Sequence, residues 1–278
     1  MKIYSANQAR STFNQPVVMA ILNATPDSFS GDGLHGFSQD SKLQIAEILA
    51  SGAEIIDIGG ESTRPGHEAI SVAEEARRVI EMLRQVRQQS TEILISIDTQ
   101  KAEVAKLALE AGADFINDIS SLKDAKMPNL IKESGCSLVV MRNQPLQTQI
   151  VKSCKEQIET ITKRAQDLGI ENDCLIIDPG LGFGSLEEQE YDRLPGGDLL
   201  SNLELTDQID QYSGRYPVLI GASRKRFIGQ LMNQKRAKDR DEGSLALAIL
   251  AMQRGASIVR VHNAKATMQA KAGMLFPS

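Results

Sequence analysis

The sequence lacks most of the features that mark membrane-spanning, secreted or nucleic-acid-binding proteins. No apolar run is long enough to cross a bilayer, and the first sixteen residues contain no apolar stretch typical of a secretory signal. The 31 Lys and Arg residues are outnumbered by 36 Asp and Glu, which gives a net charge of −5 and disfavours broad nucleic-acid affinity. We therefore expect neither a membrane nor a nucleic acid among the partners.

Cysteine is also scarce. Cys136, Cys154 and Cys174 are odd in number and widely spaced, and they lack the C-x-x-C spacing of a zinc or redox site. Such cysteines are typical of reduced thiols, so the sequence predicts a cytoplasmic protein. The 278 residues, 41% of them hydrophobic, can bury enough surface to fold without disulfides.

Short runs rich in Val and Ile recur along the chain, and polar residues follow each run. Segments with apolar residues at helical spacing lie between most of them, as in 43–49 and 79–86. Because the runs are apolar on both faces, they predict strands of a covered parallel sheet. The predicted strands are 17–22, 55–58, 93–97, 114–116, 137–141, 174–177, 217–220 and 258–261.

The pieces SGAEIIDI, AGADFIND and RGASIVRV share one pattern, in which Gly closes a helix before the next strand. Eight such βα repeats predict a (β/α)8 TIM barrel, an α/β fold formed by a single domain over 1–278 with core strands from about 17 to 262. A doubly wound sheet is the alternative, but it usually has fewer strands and a G-x-G-x-x-G turn that is missing here. Residues 185–198 fit neither helix nor strand and predict a loop insertion before the seventh strand.

Polar residues end each predicted strand. The carboxyl ends of barrel strands meet at one rim, where catalytic groups of this fold lie. Any one of these residues alone is more typical of a helix cap or a turn, but their recurrence at successive strand ends favours a functional rim. In chain order they are Asn23, Asp57 with 61–64, Asp98, Asn117 with Asp118, Met141 with Arg142, Asp178, 223–225, and Arg260 with His262.

These residues form two chemical groups. Asp98, Asn117, Asp178 and Lys225 offer donors and acceptors that suit a flat heterocycle with a mixed hydrogen-bonding edge. The other group suits an anion, because the loops after strands 7 and 8 are the usual phosphate site of this fold. Its members are Asn23, Arg64, Ser223, Arg224, Arg260 and His262.

A divalent metal can join the anion group through Asn23 and the phosphates. The lack of a dedicated cage of His, Asp and Glu fits Mg²⁺, which binds through few protein ligands. Asp57 has two open interpretations: it hydrogen-bonds neighbouring loop backbone, or it acts directly in the site.

Seven blocks of the chain, in order, resemble the dihydropteroate synthase family and span it from the first strand to the last. They are ILNATPDSFS (21–30), IIDIGGESTRPG (55–66), SIDTQK (96–101), FINDIS (115–120), IDPGLGFG (177–184), GASRKRFIG (221–229) and RVHN (260–263). The resemblance implies a transferase of folate biosynthesis that joins 6-hydroxymethyl-7,8-dihydropterin diphosphate to 4-aminobenzoate and releases diphosphate with the help of Mg²⁺. It also implies a homodimer formed through outer helices near the C-terminus.

Carried across position by position, the resemblance assigns the site residues. Asp98, Asn117, Asp178 and Lys225 would hold the pterin, and Asn23, Arg260 and His262 would hold the diphosphate and its metal. Thr63, Arg64 and Ser223, with Phe183 and Lys225, would shape the aminobenzoate pocket, and the segments 25–37 and 62–71 would cover the site. The groups closest to the chemistry would be Asp98, Lys225, Arg260 and His262.

The chain departs from the family pattern at MRNQP (141–145), at the insertion 185–198, in the first loop and at Asn263. These departures keep open a divergent paralogue that binds pterin with little or no synthase activity. A pterin-dependent methyltransferase is a second alternative, because that class shares the barrel and the recognition of the pterin ring. The methyltransferase has no use for diphosphate ligands, so the retained 223–225, Arg260 and His262 favour the synthase.

Overall fold

The structure, a computed structural model, describes residues 15–24, 39–61, 69–146, 149–183 and 197–274. Each predicted strand is confirmed to within two residues at either end. The strands are β1 Val17–Asn23, β2 Ile55–Gly59, β3 Leu94–Asp98, β4 Phe115–Asp118, β5 Ser137–Met141, β6 Leu175–Asp178, β7 Leu219–Ile220 and β8 Ile258–Val261.

The strands form one parallel sheet that closes on itself. Their order is β6-β5-β4-β3-β2-β1-β8-β7, and a parallel bridge between Ile177 and Val218 joins the two outermost strands. At this seam the Ile177 N–H donates to the Pro217 carbonyl at 3.0 Å. The predicted (β/α)8 barrel is therefore confirmed, and the doubly wound alternative is excluded.

Helices surround the barrel on its outer face. They are α1 Gln39–Ser51, α2 Val72–Gln89, α3 Ala102–Glu110, α4 Met127–Ser134, α5 Ile150–Asp167, α6 Gly197–Asp207, α7 Ile209–Ser213, α8 Arg226–Met232, α9 Asp241–Gln253 and α10 Ala264–Met274. The three repeated connections contain glycines with positive φ, as expected where a helix ends in a left-handed backbone conformation. The φ values are +80° at Gly52, +103° at Gly112 and +99° at Gly255. No helix in the described ranges is long and apolar enough to span a membrane.

The predicted insertion 185–198 lies mostly in 184–196, outside the described residues. Its last two residues already belong to α6, so the predicted end of the loop was wrong by two residues. The packing of Leu199 and Leu203, one helical turn apart, against the outer core explains why the helix extends back to Gly197.

Two separate apolar cores follow from the two-residue period of the strands. The outer core fills the space between strands and helices. The inner core fills the barrel and consists of Val17, Met19, Ile55, Leu94, Phe115, Val139, Ile176, Leu219 and Ile258. Every second residue along a strand points inward, so the polar side chains two residues beyond this core, or four in β3, lie above it. They are Asp57, Asp98, Asn117, Asp178 and Arg260.

Candidate functional site

An arginine between two carboxylates occupies the centre of the rim. The Arg260 guanidinium, on β8, donates from Nε to Asp57 Oδ2 at 2.6 Å and from Nη2 to Asp98 Oδ2 at 2.8 Å. Asn117, on β4, donates from Nδ2 to the same Asp57 oxygen at 3.2 Å. Asp57 is fully buried, and its hydrogen bonds come from the side chains of Arg260 and Asn117 rather than from loop backbone.

Burial changes the acidity of this cluster. It raises the pKa of Asp98 to about 7, although the positive charge of Arg260 acts in the opposite direction. Burial by itself would lower the pKa of Arg260, but the Asp57 and Asp98 carboxylates outweigh it and raise that pKa. The arginine therefore stays charged, while Asp98 changes its protonation state near neutral pH.

A second cluster lies on the β6 side of the rim. Asp178 Oδ1 accepts the Gly180 N–H at 2.7 Å, and the Lys225 ammonium donates to the Leu181 carbonyl. The Lys225 Nζ also lies 4.2 Å from the centre of the Phe183 ring. Burial lowers the pKa of Lys225 to about 8 and raises the pKa of Asp178, and the two opposite charges partly offset both shifts.

Ser223, His262 and Asn23 complete the rim. Ser223 Oγ accepts the His262 backbone N–H at 3.1 Å and lies 3.0 Å from His262 Nδ1. Asn23 ends β1. A Cβ on Gly59 would lie 3.9 Å from both Asn23 Oδ1 and Asp98 Oδ2, so these two side chains lie on the same side of β2 as the rim cluster.

Three buried polar atoms at this end of the barrel have no hydrogen-bond partner among the described residues. They are Asp57 Oδ1, Asn117 Oδ1 and Ser96 Oγ. An unpaired buried polar atom costs free energy, so such atoms are rare in native proteins and require an explanation. A polar ligand with N–H donors would satisfy the two oxygens of Asp57 and Asn117.

The structure therefore brings Asn23, Asp98, Asn117, Asp178, Phe183, Ser223, Lys225, Arg260 and His262 to the predicted end of the barrel. Thr63 and Arg64 lie outside the described residues, as do 25–37 and most of 62–71.

Arg224 is the exception among the predicted anion ligands. Its guanidinium forms a two-pronged ion pair with Asp241, at 2.6 and 2.8 Å, so its charge is already paired. Its backbone is left-handed, with a φ of 60°, and its N–H donates to Ser244 Oγ. Arg224 thus stabilises the turn between Ser223 and Lys225, and its charge is balanced by Asp241.

Sequence reasoning did not assign a role to Arg142, Asn202 or Asn263. The Arg142 side chain is buried and bonds backbone carbonyls, and Asn202 accepts the Gly182 N–H at 2.7 Å. Asn263 Oδ1 accepts the Ala266 N–H at the start of α10, so this residue is a helix cap. A charged residue directly after an apolar strand was the available sign for Arg142.

The donor set restricts the metal that this site can hold. No group of three or more His, Cys, Asp or Glu side chains in the described part of the chain could hold a metal ion. Asn23 offers a hard amide oxygen at the end of β1, and Arg260 and His262, on and just after β8, offer N–H donors suited to phosphate oxygens. These residues fit Mg²⁺, which takes few protein ligands, and they do not fit zinc.

Comparison with known proteins agrees with this geometry. The family model for pterin binding enzymes matches residues 19–262. A dihydropteroate synthase of Streptococcus pyogenes serotype M6 is 38% identical over 253 residues, which are 90% of this chain and 91% of the relative.

Solved structures give the same result. A Xanthomonas albilineans dihydropteroate synthase with 4-aminobenzoic acid superimposes with a TM-score of 0.84 at 35% identity, over 95% of each chain. The enzyme from that organism in complex with 7,8-dihydropteroate gives 0.80 at 32% identity, again over 95% of each chain. The chain therefore belongs to the pterin binding enzyme family, and the relatives that it matches there are dihydropteroate synthases.

Proposed function

We propose that the protein is a dihydropteroate synthase, a transferase that condenses 6-hydroxymethyl-7,8-dihydropterin diphosphate with 4-aminobenzoate. One observation carries this proposal: a buried cluster of hydrogen-bond donors and acceptors lies at the same rim of the barrel as a group of side chains suited to an anion. The first contains Asp178 and Lys225, and the second contains Arg260 and His262. A substrate with a flat heterocycle at one end and an anion at the other matches this arrangement.

Asp178, Asn117 and Lys225 bind the pterin ring in this proposal. The Asp178 carboxylate can accept two parallel N–H groups, and Lys225 supplies a donor for a ring oxygen or nitrogen. The unpaired oxygens of Asp57 and Asn117 provide further acceptors for ring N–H groups. Because these groups are buried, the free energy cost of leaving them unpaired favours the ring that satisfies them.

Arg260, His262, Ser223 and Asn23 face the diphosphate. Arg260 is an always-charged donor, and His262 can donate from the ring nitrogen that does not face Ser223. Mg²⁺, which Asn23 would help to hold, supplies charge neutralisation of the leaving diphosphate when it is bound. A chelator is therefore expected to abolish turnover, and added Mg²⁺ to restore it.

The reaction exchanges one bond at the pterin methylene carbon. The C–O bond to the diphosphate breaks and its electron pair leaves with the diphosphate, while the 4-aminobenzoate nitrogen forms a C–N bond and loses a proton. The Asp98 carboxylate, close to the ring, stabilises positive charge that develops on the pterin as the bond breaks. The arylamine is neutral at pH 7, so correct placement rather than a strong base supplies much of the remaining rate.

Incubation of the purified protein with the pterin diphosphate, 4-aminobenzoate and Mg²⁺ tests the proposal, with mass spectrometry to detect 7,8-dihydropteroate. Formation of that product supports the synthase. Pterin binding without product selects the non-catalytic paralogue, and methyl transfer from a methylated pterin to a corrinoid protein selects the methyltransferase. Absence of product at all Mg²⁺ concentrations contradicts the proposal.

We also infer a homodimer and a cytoplasmic location. The first follows the family resemblance, through outer helices near the C-terminus, and light scattering of the purified protein tests it: a mass near 30.3 kDa would contradict it. The second is supported by three cysteines that are buried and unpaired, as in a reducing compartment. Fractionation of the cells that make the protein tests it.

A further inference from the structure

Arg142 follows β5 and holds the segment 179–183 that comes after β6. It is 1% exposed, and the partners of its guanidinium among the described residues are backbone carbonyls, with no carboxylate in ion-pair contact. Instead, Nε donates to the Pro179 carbonyl at 2.6 Å, and Nη2 donates to the carbonyls of Gly180 and Phe183 at 3.0 Å each. Nη1 donates to the Gln144 carbonyl. The guanidinium thus connects the end of β5 to three carbonyls of one segment.

Asn202, on α6, holds the same segment from another direction. It is 2% exposed, and its Oδ1 accepts the Gly182 N–H at 2.7 Å. Gly180 and Gly182 have φ values of +66° and +72°, which other residue types rarely adopt. A Cβ on Gly180 would lie 2.2 Å from the Arg142 carbonyl oxygen, so the segment is pressed directly against the backbone of Arg142.

This segment carries the groups that contact Lys225. The Leu181 carbonyl accepts a hydrogen bond from the ammonium, and the Phe183 ring lies beneath it. The Gly180 N–H, which also belongs to this segment, donates to Asp178 Oδ1 and so fixes that carboxylate. The positions of Lys225 and Asp178 therefore depend on a piece of chain with no regular secondary structure.

We propose that Arg142 and Asn202 are positioning residues that hold the segment 179–183 and, through the Leu181 carbonyl and the Phe183 ring, fix the Lys225 ammonium against the pterin. The inference rests on the proposed function, because it takes the pterin as the ligand that Lys225 meets. An arginine suits this role since its planar fork presents five N–H donors in fixed directions, whereas a lysine ammonium cannot reach carbonyls so far apart.

Three variants test the proposal: Arg142→Met, which keeps length but removes all donors, Arg142→Lys, which keeps the charge, and Asn202→Ala. Arg142→Met is expected to weaken binding of 6-hydroxymethylpterin, measured by calorimetry, at least about tenfold, since three charged hydrogen bonds to the segment are lost. The KM for the pterin diphosphate should rise by a similar factor and kcat should change less.

The other two variants grade the effect. The pterin affinity of Arg142→Lys should be closer to that of Arg142→Met than to that of the wild type. Asn202→Ala should weaken pterin binding less, about threefold, because it removes one neutral hydrogen bond from the segment.

Arg87→Met provides the matched control. Arg87 also donates to two backbone carbonyls, those of Ile93 and Gly112, but at the end of the barrel where the strands begin. A loss of stability alone would affect both arginine variants, so pterin affinity at the wild-type level in Arg87→Met separates positioning from folding. Thermal unfolding of each variant measures its stability.

Amide hydrogen exchange gives a readout that needs neither turnover nor pterin. Exchange at Gly180, Gly182 and Phe183 should accelerate at least about tenfold in Arg142→Met, while amides of β1 to β3 keep wild-type rates. If the wild type forms no dihydropteroate, the proposed function fails, but pterin affinity and exchange still decide the present inference.

The inference is overturned if Arg142→Met folds and binds the pterin within about twofold of the wild type, or if exchange in 179–183 is unchanged. Recovery of wild-type affinity by Arg142→Lys would also overturn it, since charge alone would then suffice. Should Arg142→Met fail to fold, Asn202→Ala decides: unchanged affinity and exchange in this variant contradict the proposal.

Discussion

The two ends of the barrel use charged side chains in opposite ways. Where the strands begin, Arg87 pairs with Asp114 at 2.7 Å, and Lys271 pairs with Glu54. The carboxylates of these pairs also accept backbone N–H groups of neighbouring strands, Asp114 from Ile95 and Glu54 from Val18, each at 2.8 Å. Each of these charges has an opposite partner, and each carboxylate also completes the hydrogen bonding of a strand.

Where the strands end, charges outnumber their partners. Arg260 is shared between Asp57 and Asp98, and oxygens of Asp57 and Asn117 have no partner among the described residues. A fold gains nothing from such unpaired buried oxygens, but a ligand gains binding free energy from them. The comparison indicates that the beginning of the barrel stabilises the fold and that its end is kept for binding.

The largest effect is expected from the removal of Arg260, the cation that Asp57 and Asp98 share. Arg260→Met leaves two carboxylates buried without a positive charge, so the free energy of unfolding should fall by about 3 kcal/mol. Turnover should fall at least about a hundredfold, because a charged donor to the leaving group is lost. Urea unfolding and the dihydropteroate assay measure the two effects.

A second substitution separates these effects. Adding Asp57→Asn to Arg260→Met removes one unpaired charge, so part of the stability should return while turnover stays low. A double variant no more stable than Arg260→Met would mean that the charge of Asp57 is not what destabilises it.

The opposite end gives the complementary prediction. Arg87→Met removes two hydrogen bonds to carbonyls and leaves Asp114 without its cation, which should lower the free energy of unfolding by about 2 kcal/mol. The ratio kcat/KM should stay within about twofold of the wild type, because catalytic groups of this fold lie at the other end. A large loss of kcat/KM in folded protein would contradict the division between the two ends.

Asp98→Asn tests whether a rim carboxylate serves the reaction rather than the fold. Turnover should fall at least about tenfold, which corresponds to roughly 1.4 kcal/mol of activation free energy. The fold should remain intact, because burial already disfavours the ionised form of Asp98 and asparagine has nearly the same shape. Wild-type turnover in this variant would count against the assignment.

Asp98 is also expected to make stability depend on pH. Its pKa is about 7 in the folded protein against an ordinary value of 3.8, so the folded state binds this proton more tightly than the unfolded state does. The contribution of Asp98 to stability therefore falls as pH rises from about 4 to about 7, and it is constant above that range.

Urea unfolding of the wild type and Asp98→Asn at about pH 5 and about pH 7.5 measures this contribution, because the other groups cancel in the difference. Between these pH values the free energy of unfolding should fall further for the wild type than for the variant, because only the wild type loses the Asp98 proton. Equal losses would show that Asp98 is ionised throughout the range.

The strands and the rim residues could be predicted from the sequence because both follow from the two-residue alternation of side chains along a strand. Val and Ile runs that are buried on both faces predict strands, and the polar residue that ends each run lies at the rim whichever helices follow. This pattern identifies Asp98, Asn117 and Asp178. Their inward direction follows from the two-residue period, because Asn117 and Asp178 lie two residues after Phe115 and Ile176, and Asp98 lies four residues after Leu94.

The partners of these residues could not be predicted in the same way. The sequence leaves two roles open for Asp57, because nothing near it in the chain indicates that Arg260, 203 residues away, is its partner. In the sequence Arg224 is typical of an anion ligand, but in the structure its guanidinium forms an ion pair with Asp241, 17 residues further along the chain. Arg142 had no assigned role, since backbone carbonyls, its actual partners, are present at every residue and leave no pattern.

The sequence by itself determined the (β/α)8 fold, the end of the barrel at which the chemistry lies and the residue types gathered there. These properties depend on local periodicity and on where polar residues interrupt it, and both can be read along the chain. Only the tertiary structure decided which charges neutralise each other, which oxygens remain for a ligand and which arginine holds a segment rather than an anion. Such pairings depend on distances of a few ångströms between side chains far apart in sequence, and closure of the barrel sets those distances.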